Sequence, residues 1–81
     1  MDQRIFNLNL SVEATSLYLL MVALADGGTH LVRENILPLW NASPPELEAA
    51  FRELKQRGVA GEGAGGDWFL RPAKEWEQPA D

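Results

Sequence analysis

The chain has 81 residues, a net charge of −5, a pI near 4.7, 46% hydrophobic residues and no Cys. These values fit one domain with a small core, and they exclude a disordered chain, a disulfide framework, a thiolate metal site and a thiol nucleophile. The negative balance also speaks against general affinity for nucleic acid or anionic lipid.

The start, Met1-Asp2-Gln3-Arg4, is not a basic region followed by an apolar stretch, so no signal peptide is expected. Ile5 to Leu10 alternates, with Phe6, Leu8 and Leu10 on one side and Asn7 and Asn9 on the other. That pattern predicts a short N-terminal strand with one buried face. Ser11 then caps a helix that runs to about Asp26 and stops at Gly27-Gly28. Leu17, Leu20, Met21 and Leu24 form its main stripe, Tyr18, Val22 and Ala25 a second, and Leu19 and Ala23 a third. From Leu17 to Ala25 the helix is apolar nearly all round, yet that run is too short to span a bilayer. Either the N-terminal strand and the C-terminal tail cover its surplus face, or a partner or a second copy of the chain does. The expectation is a cytoplasmic protein, bacterial by its compactness, with no membrane role.

Thr29-His30-Leu31 reads as the stub of an edge strand. Leu31, Val32, Ile36, Leu37 and Trp40 then repeat at roughly helical spacing over about Val32–Trp40. Pro38 cannot donate to the carbonyl of Glu34, so this helix begins late or is short and bent. The next helix, Ser43–Arg57, is sharply bounded. Ser43 is the N-cap, Pro44 suits the first helical position, and Glu46 completes a capping box. Arg57-Gly58 supplies a basic last turn and a left-handed stop. Leu47, Ala50, Phe51 and Leu54 make one apolar stripe between them. A hairpin follows, with Val59-Ala60, a flexible turn rich in Gly, and the returning strand Trp68-Phe69-Leu70, ended by Pro72. Residues 1–72 form the predicted domain, and 73–81 a polar tail anchored only by Trp76.

Helix, stub strand, helix, helix, strand, Gly-rich loop and strand, over about residues 11–72, resembles the winged helix-turn-helix domain. Its local signature is the run from Trp40 to Val59, whose ending Leu54-Lys55-Gln56-Arg57-Gly58-Val59 is similar to that of bacterial winged-helix regulators. The fold class implied is α+β: a small winged helix of three helices and a C-terminal hairpin wing, here with an extra N-terminal strand. The resemblance also implies that helix 43–57 would read the major groove and that wing 60–71 would touch an adjacent groove or phosphates.

The charges depart from that pattern. Two carboxylates, Glu46 and Glu48, sit where base and phosphate contacts are usually made. The wing carries Glu62 and Asp67 and no Lys or Arg between Val59 and Leu70. Glu48 precedes Arg52 by four residues and Glu53 precedes Arg57 by four, a spacing that predicts pairing along a solvated face.

No other motif carries chemistry. Gly61-Glu62-Gly63-Ala64-Gly65-Gly66 satisfies the dinucleotide pattern but is followed by a strand instead of a helix, and no P-loop Lys follows it. His30 is the sole His, without a ligand cluster near it in sequence. Ser11 and Ser43 are explained as caps, and Ser16 has no His/Asp partner set. Glu46 and Glu48 diverge on a helix and cannot act as a glycosidase pair. Trp40 and Trp68 read as packing. Trp76, in a charged tail, either docks on its own domain or anchors a partner.

The expectation is therefore a regulatory module that binds protein or itself, not an enzyme, with no cofactor, metal or small-molecule ligand. Its candidate partner contacts are Leu19, Ala23, Glu46, Glu48 and Trp76. The alternative is a DNA-binding regulator that uses Arg52, Lys55, Arg57 and Arg71.

Overall fold

A computed structural model describes residues 3–76. After a 3-10 helix at Gln3–Asn7 come α1 (Val12–Asp26), α2 (Arg33–Ile36) with a 3-10 continuation at Leu37–Leu39, and α3 (Pro44–Gln56). The hairpin β1 (Ala60–Glu62) and β2 (Trp68–Leu70) follows, then a last 3-10 turn at Ala73–Glu75. This is a small α+β, winged-helix-like layout of three α-helices and a two-stranded antiparallel wing.

Local chemistry sets the helix ends. The Ser11 hydroxyl accepts from the Ala14 N–H at 3.1 Å and caps α1. Ser43 and Glu46 form the reciprocal capping box of α3, with Pro44 at its first position. Both long helices stop in the same way. Gly28 and Gly58 lie at φ +78° and +74°, a region that only Gly enters without strain. The residues after them, Thr29 and Val59, donate to Leu24 and Leu54, and each glycine donates to the residue that follows that acceptor. Both ends are thus Schellman motifs, and they satisfy carbonyls the helices would leave unpaired.

α3 packs against α1 through the predicted stripe, with Leu47, Ala50, Phe51 and Leu54 buried. α1 contributes Ala14, Leu17, Tyr18 and Met21. Fully burying a side chain such as Phe51 or Leu54 stabilises the fold by about 1.5–3 kcal/mol. The wing pairs Ala60 with Leu70, Gly61 with Phe69 and Glu62 with Trp68. Its indole at Trp68 stacks on Phe51 with ring centroids 4.3 Å apart, which fixes the wing to α3.

The sequence expectations need four adjustments here. Residues 5–10 form no strand: they enter through the 3-10 helix, and Asn9 turns at φ +57°. Ile5 and Leu8, three apart, are the buried pair, whereas Phe6, expected inside, is 56% exposed. The segment does not pair with the β1–β2 hairpin, and the three-residue spacing of a 3-10 turn buries two large aliphatics instead. Thr29–Leu31 is likewise not a strand, although the Leu31 carbonyl accepts one bond from the Trp68 N–H at 2.8 Å. The second helix is the short, bent alternative: α2 ends at Ile36, and Pro38 sits inside the 3-10 turn that follows. Finally, residues 73–76 pack as part of the body, and the remainder of the expected polar tail lies outside the described residues.

Candidate interaction surfaces

The face formed by α3 and the wing is the one a winged helix would offer to DNA. Its cations are engaged within the chain. The Arg33 guanidinium grips Glu48 through two bonds, Nε to Oε2 at 2.7 Å and Nη2 to Oε1 at 2.9 Å. Arg33 also lies 3.5 Å from Glu62, and Lys55 reaches the other oxygen of Glu62 at 3.7 Å. Beneath this chain of charges the guanidinium of Arg33 sits over Phe51 and Trp68, at 5.0 and 5.7 Å from the ring centroids. The buried indole N–H of Trp68 has no acceptor among the described residues. The hydrogen bond to Arg33 holds the Glu48 carboxyl below its ordinary value, and the bond to Glu48 raises the Arg33 guanidinium.

Two of the other candidate DNA contacts are also occupied. Arg57 Nη2 donates to the Leu8 carbonyl at 2.6 Å. Arg71 pairs with Glu75 at 3.2 Å and covers the Phe69 ring at 5.1 Å. Arg52 alone of the four makes no hydrogen bond or ion pair among the described residues. The expected pairings four residues apart on α3 are absent. Glu48 turns to Arg33, and Glu53 accepts from the backbone N–H of Ser11 at 2.7 Å. A partner from another element offers two parallel bonds or a helix N-terminus, both stronger than an exposed pair along one helix. No spacing rule links positions 33 and 48, so the bidentate pair had no signal in the sequence.

The acidic front at Glu46–Glu53 is therefore committed to structure. Glu46 closes the cap of α3, Glu48 holds Arg33, and Glu53 anchors the start of α1. Trp76 also leaves the set of partner contacts. It is only 5% exposed, meets Tyr18 edge-on at 5.6 Å and donates its indole N–H to the Arg71 carbonyl at 2.9 Å. Of the two placements open to Trp76, docking on its own domain is the one the structure adopts.

The surplus face of α1 is open. Leu19 is 37% exposed and Ala23 is exposed, so neither the N-terminal segment nor the C-terminal turn covers this stripe. Next to it in the helical repeat, Val12, Ser16 and Leu20 follow one another at four-residue spacing. They form one wall of a groove of about 300 Å³. Leu39, Trp40, Asn41 and Ala42 form the other wall, and Glu13 completes the lining. Val12 is 76% exposed, and Leu37 and Leu39 are also exposed on the 3-10 turn beside it. Trp40 is held in place by its indole N–H, which donates to the Ser43 carbonyl at 3.1 Å. The tryptophan expected to be packing is thus half-buried in a groove wall. Its neighbour Leu37, which the helical periodicity placed inside, is exposed beside Pro38, as is Leu39.

Among the described residues no group of three or more His, Cys, Asp or Glu could hold a metal ion, and no helix is long and apolar enough to cross a membrane. No family model, curated protein or solved structure matches the chain.

Proposed function

We propose that this chain is a small cytoplasmic regulatory module that works by binding protein, another partner or a second copy of itself, without tight binding to DNA. The observation that carries this reading is the internal neutralisation of the α3–wing face. Affinity for a duplex comes chiefly from cations that contact phosphates. Here Arg33 and Lys55 are tied to Glu48 and Glu62, Arg57 to a backbone carbonyl and Arg71 to Glu75. A phosphate would have to displace carboxylates that are part of the same surface. The open apolar stripe at Leu19 and Ala23 and the groove beside it are the surfaces left to bind a partner. Arg52 is the one observation in favour of a DNA reader, and its charge already acts on the neighbouring Glu48.

The test is the anisotropy of a labelled random duplex titrated with the protein at about 20 mM salt, where electrostatic attraction is least screened. The proposal expects no saturable change. Micromolar binding that collapses as salt is raised would overturn it. In that case Arg52→Ala and Lys55→Ala would each lower the salt slope by about one unit.

A further inference from the structure

We infer that the groove between α1 and the 38–42 turn is the docking site for an amphipathic helix of a partner protein that carries Lys or Arg beside its apolar stripe. This rests on the protein-binding reading and names the surface and the chemistry of its occupant. Two features of the groove point to a helix. Val12, Ser16 and Leu20 present ridges at helical spacing, and the facing wall, Leu39 and Trp40, is apolar and held by the Trp40–Ser43 bond.

Charge then selects the occupant. α1 contains Glu13 and Asp26 and no Lys or Arg. The stretch from Glu34 to Phe51 contains Glu34, Glu46 and Glu48 and again no Lys or Arg. The groove lining itself holds no Lys or Arg, and Glu13 is its one charged residue. Glu13 stands in the lining itself, and Glu46 follows Ala42 into the first turn of α3. Glu48 is neutralised by Arg33, whereas Glu13 makes no ion pair among the described residues. A second copy of this chain seated groove to groove would set Glu13 against Glu13, and an acidic helix would be repelled in the same way. A helix with an apolar stripe and basic flanks satisfies both the ridges and the charge.

The experiment uses a fluorescein-labelled helical peptide of about 18 residues built from Leu and Lys, with a Leu/Glu peptide of the same pattern as the comparison. Each is titrated with the full chain, with Val12→Lys/Leu39→Lys, and with Gln56→Lys, which adds a similar charge outside the groove. Val12 and Leu39 are more than half exposed, so the double variant should fold, and circular dichroism is the check that it does. The inference expects saturable micromolar binding of the Leu/Lys peptide, with at least about tenfold weaker binding of the Leu/Glu peptide and of the double variant. Gln56→Lys should stay within about twofold of wild type, close to the effect of one exposed charge. Three results would overturn the inference. One is equal affinity for wild type and the double variant, another is equal affinity for the two peptides, and the third is a wild-type dimer in sedimentation that Val12→Lys/Leu39→Lys makes monomeric. A duplex titration under the same conditions separates these failures from failure of the protein-binding reading, since only the latter shows saturable DNA binding.

Discussion

The two exposed faces of this domain solve the same problem in opposite ways. The α3–wing face carries most of the paired charges among the described residues and satisfies them internally, with Arg33, Glu48, Glu62 and Lys55 linked over Phe51 and Trp68. The α1 face carries exposed apolar side chains and satisfies nothing internally, with Val12, Leu19, Leu37 and Leu39 open to solvent. The difference shows that where a fold usually works does not fix where this chain works. A surface whose groups already bond one another offers little to a ligand, whereas an uncovered apolar surface gains by being covered.

The largest expected effect separates the faces by stability. Phe51→Ala removes the ring under Arg33 and beside Trp68 and should cost about 3–5 kcal/mol, a thermal shift large enough to leave the domain marginal. Leu39→Ser on the other face should change stability by no more than about 0.5 kcal/mol. A comparable loss from both, read by thermal melting, would mean that the outer groove wall is core.

A smaller effect concerns pH. Glu48 is held below its ordinary value of 4.5 by Arg33, so its contribution is present above that value and lost as pH falls through the lower, folded value. The pair is nearly half exposed, and its worth is about 1 kcal/mol or less. Glu48→Gln should therefore lower the melting temperature slightly at pH 7 and match wild type at pH values well below 4.5. An offset that persists unchanged in acid would assign the effect to packing and not to the ion pair.

The fold could be read from the chain wherever a local rule fixed it. Ser11, Ser43, Glu46, Gly28 and Gly58 set helix ends by bonds spanning at most five residues, and the Leu47–Leu54 stripe buried the face its period named. Reading failed where the decisive partner was distant. The 5–10 alternation promised a strand, but the segment joins neither edge of the hairpin, and Ile5 and Leu8 are buried by a 3-10 turn. Glu48 and Glu53 were assigned neighbours four residues away and chose Arg33 and the Ser11 N–H. The same limit applies to the candidate surfaces. Leu19 and Ala23 followed from an apolar stripe too wide to cover, but the groove wall at Leu39–Trp40 lies at and after the Pro38 turn, where helical periodicity, which included Trp40, no longer applies.

The most direct test removes the internal carboxylates and asks whether the α3–wing face becomes a DNA surface. Wild type and Glu48→Gln/Glu62→Gln are titrated against one labelled random duplex at about 20 mM salt and again at higher salt. The account predicts no saturable binding by wild type and salt-sensitive binding by the double variant, whose Arg33 and Lys55 join Arg52 as free cations. Saturable binding by wild type, or a folded double variant as inert as wild type, would contradict it.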